Sequence, residues 1–150
     1  MESNLDSEKI RILAKALDTA IEQHDIERLV SYFAEECEIQ LPGITLNGYE
    51  GLRRAIKWMY GYLKEITLIP MTILIQGNVF FEEFIMKTKV SGGREIQVKQ
   101  SEVLTYGDDY KVRSLRLYFD RLELGKAFSS NAIDRIIVNR LNRMFQEGLI

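Results

Sequence analysis

Two adjacent glutamates are the strongest candidates for acid–base chemistry in this sequence. Glu82 and Glu83 lie within residues 79–90, a run whose β-branched and aromatic content predicts a strand that is otherwise apolar on both faces. Because side chains alternate along a strand, one carboxyl points to each face, and one of the two is expected to be buried. A buried carboxyl either has a raised pKa, as a proton carrier needs near neutral pH, or pairs with a Lys or Arg on a neighbouring strand.

A second candidate constellation ends at Asp120. Residues 110–121 are predicted to form a strand with Arg116, Tyr118 and Asp120 on one face, and its other face is apolar. A carboxyl beside a phenol could act as a general acid or base. The structural alternative is a salt bridge at the strand end between Asp120 and Arg116 or Arg121.

Three further side chains are suited to contact a ligand. Gln40 lies on a short predicted strand, where it would donate to and accept from a ligand if it faced a cavity, or form a polar edge if it faced solvent. Trp58 and Tyr62 are four residues apart, so they share one face of a predicted helix. Aromatic residues with a polar tip line ligand cavities, and they also fill ordinary cores.

The remaining residue types argue against several classes of chemistry. With a single histidine, His24, and a single cysteine, Cys37, the sequence predicts neither a multi-His metal site nor an internal disulfide. His24 is expected to end a helix. No serine lies in a nucleophile turn, so the sequence gives no support for nucleophilic catalysis. No glycine-rich phosphate loop is present either. No cofactor or metal is expected. The net charge of -2 disfavours nucleic-acid and membrane partners, and the cysteine usage and the absence of a signal-type start favour the cytoplasm.

The hydrophobic periodicity predicts one globular domain of the α+β class in the order αα-β-α-ββββ-α. Helices are predicted over residues 6–24, 26–33, 49–64 and 131–147, and strands over residues 37–42, 67–76, 79–90, 94–106 and 110–121. In the first helix the charged residues, Asp18 among them, are expected mostly on the side opposite the apolar stripe. The four long strands predict a curved antiparallel meander with helices on one side. The last helix is expected to form an interface or a lid, or to pack on the outside of the domain.

Three passages carry a family resemblance: HDIERLVSYFAEECEI at residues 24–39, NGYEGL at 47–52 and RLYFD at 116–120. Together they resemble the nuclear transport factor 2-like superfamily, in its SnoaL-like and ketosteroid isomerase-like branch. The resemblance covers about residues 7–125 of a single domain over residues 1–150, and it leaves the helix at about 130–147 outside the common core. It implies a cone in which a curved, mixed and largely antiparallel sheet wraps around helices and encloses a pocket. It also implies a homodimer formed through the outer face of the sheet.

The sequence departs from the active sites of well-known members of that superfamily. Ketosteroid isomerase has its base just before the proline that ends the first strand, where this chain has Leu41. Limonene epoxide hydrolase has an aspartate between the Arg and the Tyr of the last passage, where this chain has Leu117. At the two positions that correspond to the catalytic Arg and Asp of that hydrolase, two residues apart, this chain has Glu83 and Ile85. The resemblance directs Glu83 toward the pocket, and a bulge of one residue would exchange it with Glu82.

These observations predict a SnoaL-like protein that binds a small apolar or aromatic molecule in its pocket. Proton transfer of the isomerase, cyclase or dehydratase type would use Glu83 or Asp120. The residues expected to contact the ligand are Gln40, Trp58, Tyr62, Leu117 and Tyr118. The alternative is a noncatalytic carrier or interaction module of the same fold.

Overall fold

The computed structural model of the chain describes residues 5–90, 92–129 and 131–149. The first half contains α1 (Ser7–Glu22), α2 (Ile26–Ser31), β1 (Phe33–Leu41), β2 (Ile44–Asn47) and α3 (Gly48–Tyr62). The second half contains β3 (Lys64–Gln76), β4 (Val79–Lys89), β5 (Glu95–Tyr106), β6 (Val112–Phe119), α4 (Arg121–Phe128) and α5 (Ala132–Gln146). The predicted α+β architecture is confirmed.

Side-chain caps define where several helices begin. Asp25 accepts a hydrogen bond from the backbone N–H of Arg28 and thereby caps α2, and Asn131 caps α5 in the same way. Asn47 occupies the N-cap position of α3, although its side chain makes no capping hydrogen bond.

The six strands form one mixed sheet in the order β2-β1-β6-β5-β4-β3. Strands β3 to β6 pair antiparallel with their sequence neighbours, which confirms the predicted meander, and β1 joins β6 in parallel. Register shifts interrupt β3 between Pro70 and Thr72 and the β1–β6 pair between Phe33 and Glu38. Irregularities of this kind bend a sheet, and here they accompany its curvature around the helices.

The core lies between the concave face of the sheet and helices α1 to α3. One cluster of buried residues centres on Ile10, Leu17, Phe33, Ile39, Phe80 and Leu104. A second cluster contains Leu63, Phe84, Met86, Val98 and Leu124. The alternation of β4 and β5 supplies both clusters, because each strand turns every second side chain inward.

The structure adds two short elements that the sequence analysis did not predict. Strand β2 returns from β1 through Pro42 and Gly43, where a φ of +84° requires the freedom of glycine. Helix α4 follows β6 directly, so that the last strand ends at Phe119 rather than at Arg121. Both elements have eight residues or fewer and no extended periodic pattern that could have revealed them.

Helix α5 lies apart from the core. Its main contacts are with α4, and none of its described side chains is buried. The apolar residues Ile133, Ile136 and Phe145 on this helix are exposed. Within the described ranges, no helix combines the length and the apolar character needed to cross a bilayer.

Candidate functional site

An apolar cavity of about 140 Å³ lies between the inner face of the sheet and helices α1 to α3. Its walls are aliphatic and aromatic except for three polar side chains, those of Asp18, Gln100 and Glu102. No Lys, Arg or His lines the cavity in the part of the chain that the structure describes. A cavity of this size holds roughly one benzene-sized ring.

Glu102 belongs to a cluster of three carboxyl groups at the cavity wall. Glu82 on β4 is the direct cross-strand partner of Glu102 on β5, and α1 places Asp18 beside them. One carboxyl oxygen from each residue lies within 4.8 Å of the other two. Glu82 and Glu102 are only 2% and 6% exposed, and Asp18 is partly buried. Among the described residues, no salt bridge involves any of the three.

Burial raises the pKa of all three carboxyl groups. Desolvation, followed by the charges of Glu82 and Glu22, raises the pKa of Asp18 to about 8. Desolvation raises the pKa of Glu82 to about 7. The pKa of Glu102 lies well above its ordinary value because of burial and then the charges of Asp18 and Glu82. Because burial and neighbouring negative charges disfavour the ionised forms, these carboxyls keep their protons to higher pH than free carboxyls and can take part in acid–base chemistry near neutral pH.

Tyr106 adds a hydroxyl group to this polar region. It lies on the same inward face of β5 as Gln100 and Glu102, and it is 2% exposed. Its hydroxyl has no hydrogen-bond partner among the described residues. Burial, followed by the charges of Glu102 and Asp18, raises the pKa of the phenol. Tyr106 therefore stays protonated and carries an unused donor and acceptor close to the carboxyl cluster.

The same three carboxyl groups could hold a metal ion, because one oxygen from each lies within 4.8 Å of the other two. Divalent cations such as Ca²⁺ take about six to eight oxygen ligands, of which each carboxyl can supply two. Neither His24 nor Cys37 contributes to the cluster. His24 follows α1, as predicted for a helix-end residue, and stacks on Tyr60 with ring centroids 4.0 Å apart. Cys37 is buried in β1.

The sequence analysis missed Glu102 and Asp18, although both left a signal. One face of β5 is formed by Val98, Gln100, Glu102, Leu104 and Tyr106. Glu102 is the one charged residue on this mostly apolar face. Asp18 was grouped with the charged residues expected mostly opposite the apolar stripe of α1, but it lines the inner cavity. It lies four residues after Ala14 and three before Ile21, which places it at the edge of the stripe.

The expected orientation of Glu83 is also wrong, because Glu82 is the glutamate that points inward. Strand β4 buries Phe80, Glu82 and Phe84, and its pairing with β5 runs without a register shift. Glu83 therefore lies on the outer face, where its carboxylate accepts a 3.3 Å hydrogen bond from the Thr72 hydroxyl. The sequence could not reveal the phase because both faces of the strand are apolar.

Asp120 lies outside the cavity and caps a helix. Its carboxylate accepts hydrogen bonds from the backbone N–H groups of Leu122 and Glu123, at 2.8 and 3.3 Å. Among the described residues, it forms no salt bridge with Arg116 or any other cation. The structure thus places Asp120 as the N-cap of α4, whose Leu124 lines the cavity.

Two of the predicted ligand-contacting residues do line the cavity. Leu117 is part of its wall, and Trp58 lies at its rim with 49% of its surface exposed. Tyr62 does not reach the wall. It packs beside Trp58, with ring centroids 5.2 Å apart, and against Phe128 at 5.3 Å.

The other two, Gln40 and Tyr118, lie on the opposite face of the sheet. Ile39 and Leu41 take the inward positions of β1, and Gln40 instead donates a 2.6 Å hydrogen bond to Glu38. Tyr118 is 51% exposed, while its neighbour Leu117 points inward. The structure therefore does not bring these two residues to the cavity.

A second, wider cavity of about 430 Å³ adjoins the first. The two share the wall residues Leu41, Ala55, Trp58, Phe119 and Leu124. The wider cavity adds two cations, Arg54 and Arg121. Helix α4 thus contributes to the walls of both cavities.

Residues 14–114 match the family model of the SnoaL-like domain. The chain belongs to the SnoaL-like family. No curated protein matches this SnoaL-like sequence.

Solved structures share the fold of this SnoaL-like protein at low sequence identity. An NTF2-like protein of unknown function from Burkholderia pseudomallei superposes with a TM-score of 0.75 at 14% identity, covering 81% of this chain and 98% of that one. An NTF2-like protein from Burkholderia xenovorans gives 0.68 at 22% identity, with 83% and 98% covered. SalBIII, an epoxide hydrolase/cyclase-like enzyme with a role in pyran ring formation in the polyether salinomycin, gives 0.71 at 14%, with 79% and 95% covered.

Proposed function

We propose that this SnoaL-like protein is a proton-transfer enzyme that binds a small apolar molecule in the inner cavity. Its acid–base group would be the cluster of Asp18, Glu82 and Glu102. The observation that carries the proposal is the position of three carboxyls without a cationic partner at the wall of an apolar cavity. Isomerase, cyclase and dehydratase reactions all need a proton removed at one atom and delivered at another.

The geometry suggests a division of labour within the cluster. Asp18 and Glu102 line the cavity, so the ionised one accepts a proton from the substrate and the protonated one donates a proton to it. Glu82 does not line the cavity, and it would pass protons between Asp18 and Glu102 from its position behind the cavity wall. Gln100 offers an amide to orient a polar atom, and the apolar walls exclude competing water.

The fold relative SalBIII supports a reaction of this class. It is described as an epoxide hydrolase/cyclase-like enzyme with a role in forming a pyran ring. Closing a ring at an oxygen atom requires a base for the attacking hydroxyl and an acid for the oxygen that leaves. A pair of neighbouring carboxyl groups in opposite protonation states would supply both.

A noncatalytic carrier is the second candidate, because all but three of the side chains that line the cavity are apolar. The carboxylates first predicted to be catalytic, Glu83 and Asp120, both lie outside the cavity. Binding without turnover would distinguish a carrier from an enzyme. The decisive experiment must therefore measure proton transfer itself.

The test is the base-promoted elimination of 5-nitrobenzisoxazole, which loses a proton from carbon, breaks its N–O bond and releases a coloured phenolate without any cofactor. We expect turnover above the rate in acetate buffer, rising with pH as the cluster ionises. Glu102→Gln should lower that rate at least tenfold. The matched substitution Glu83→Gln, on the outer face of the neighbouring strand, should retain it.

Circular dichroism of both variants checks that they are folded. If the probe binds without turnover, the protein is a carrier. If Glu83→Gln lowers the rate while Glu102→Gln does not, the cluster is not the acid–base group and the proposal is wrong.

We also propose that the protein forms a homodimer through the outer face of the sheet. The exposed side chains of Ile69 and Leu74 on β3 and Tyr118 on β6 lie on that face, beside the partly buried Phe81. Extended exposed apolar surface marks interaction sites. Light scattering should give twice the mass of one chain, and Leu74→Lys should yield monomers.

The cytoplasm stays the proposed location, in keeping with the single free cysteine.

A further inference from the structure

The proposed function leaves the wider cavity of about 430 Å³, called the outer cavity from here on, without a ligand. Apart from two arginines, its described wall is apolar, and it is formed mainly by the β1–β2 turn, α3 and α4. Ile44 and Trp58 in this wall are 52% and 49% exposed. The volume lies in the range of about 300–1,000 Å³ that small-molecule sites occupy. An open cavity with exposed apolar walls indicates a ligand that has an apolar body.

The charged side chains described in the wall of the outer cavity are all positive. Arg54 and Arg121 line it, and no Asp or Glu does so within the described ranges. Arg54 is paired with Glu50 on the same helix, with 2.9 Å between Nη2 and Oε1. Arg121 forms no salt bridge with any described residue. The outer cavity therefore offers an uncommitted guanidinium, a group that binds a carboxylate through two parallel hydrogen bonds.

The turn between β1 and β2 makes room for this guanidinium at the cavity wall. Gly43 in that turn has no side chain, and a Cβ built on it would lie 2.9 Å from Nη1 of Arg121. The guanidinium thus takes up space that a side chain at position 43 would fill. Pro42 and Ile44, which flank Gly43, line the same cavity. The local backbone therefore places the positive charge beside the apolar wall, where no described acidic residue neutralises it.

We propose that the outer cavity binds a small amphipathic anion, with its carboxylate against Arg121 and its apolar body against Trp58 and Phe128. The inner cavity does not suit this molecule, because its described wall offers no cation and its charged residues are Asp18 and Glu102. The two cavities therefore select different classes of ligand. The inference goes beyond the proposed function and does not depend on proton transfer in the inner cavity.

The test compares three probes with the same eight-carbon chain at pH 7: octanoate, the neutral octanamide and octylammonium. The single tryptophan of the chain, Trp58, lines the cavity, so its fluorescence reports binding directly. We expect octanoate to bind at least fivefold more tightly than octanamide, and octylammonium to bind most weakly because the arginines repel it. Raising NaCl to about 1 M should reduce the preference for octanoate, because the Debye length falls to about 3 Å and screens an exposed ion pair.

Arg121→Gln should lower the affinity for octanoate at least fivefold and leave the affinity for octanamide within twofold. Arg121→Lys keeps the charge without the two parallel hydrogen bonds, so it should keep part of the preference. The matched control is Arg11→Gln, an exposed arginine of α1 outside the cavity, which should keep the full preference. Benzyl alcohol, a neutral one-ring probe of the inner cavity, should bind the wild type and Arg121→Gln with the same affinity by calorimetry.

The outcomes separate this inference from the proposed function. Equal affinity for octanoate and octanamide, or an octanoate affinity unchanged in Arg121→Gln, overturns the anion site. Octanoate binding that is lost in Glu102→Gln and kept in Arg121→Gln places the probe in the inner cavity and also overturns it. Octanoate binding that depends on Arg121, without any elimination of 5-nitrobenzisoxazole, supports the anion site and contradicts the proposed function alone.

Discussion

Replacing Glu102 with glutamine is expected to flatten the pH dependence of the protein's stability above pH 5. In the folded chain, burial and then the charges of Asp18 and Glu82 hold the pKa of Glu102 well above its ordinary value of 4.5. Between these two pKa values the folded state keeps a proton that the unfolded state has lost. Stability is therefore greatest below the unfolded pKa and falls as pH rises toward the folded pKa.

The size of the effect follows from the number of protons involved. Each proton held only by the folded state changes the free energy of unfolding by about 1.4 kcal/mol per pH unit. A carboxyl that keeps its proton from pH 5 to pH 7 accounts for about 3 kcal/mol at most over that interval. Glutamine keeps the shape of the side chain and cannot ionise, so it removes this contribution. Asp18 and Glu82, with pKa values of about 8 and about 7, maintain the remaining slope.

The assay is urea unfolding of the wild type and two variants at pH 5, 6 and 7, followed by circular dichroism. Wild-type stability should fall across this range, and the slope should be smaller in Glu102→Gln. Glu83→Gln should keep the wild-type slope because Glu83 lies on the outer face. Wild-type stability that rises with pH, or an unchanged slope in Glu102→Gln, would refute the buried carboxyl cluster.

Three further substitutions test individual features of the site. Tyr106→Phe removes the buried, unpartnered hydroxyl and should raise the free energy of unfolding by about 1 kcal/mol. The control Tyr118→Phe, on the surface, should change that free energy little. Destabilisation by Tyr106→Phe in thermal denaturation would mean that the hydroxyl has a partner. Asp120→Ala removes the N-cap of α4 and should lower the free energy of unfolding by about 0.5–2 kcal/mol while keeping more than half of the elimination rate. A fall in the elimination rate as large as that of Glu102→Gln would make Asp120 catalytic. Leu117→Trp fills the inner cavity and should weaken benzyl alcohol binding at least tenfold by calorimetry, and unchanged affinity would place the ligand elsewhere.

Most of the fold could be predicted from the sequence because its elements are long and strongly patterned. The meander of β3 to β6 has turns with glycine between alternating runs, and α1 repeats apolar residues every three or four positions. The short elements β2 and α4 could not be predicted in this way. Asp120 illustrates the difficulty, because a carboxylate at a strand end can cap a following helix as readily as it can form a salt bridge.

The candidate site was harder to predict because it depends on the phase of single residues. Glu82 and Glu83 are adjacent on a strand with two apolar faces, so only the register of the assembled sheet decides which one is buried. The inward position of Glu102 follows from the alternation of β5 alone. Its nearness to Asp18 does not, since α1 and β5 are far apart in sequence and meet only through tertiary packing.

The central claim is that Asp18, Glu82 and Glu102 form one proton-exchanging group at the wall of the inner cavity. A titration of carbon-13 labelled Asp and Glu side chains by NMR between pH 4 and pH 9 tests it most directly. The account predicts three coupled carboxyl signals that titrate above the ordinary range and shift when benzyl alcohol is added. Carboxyl signals that all titrate in the ordinary range would contradict it, because a hydrated and fully ionised cluster could not donate a proton at neutral pH.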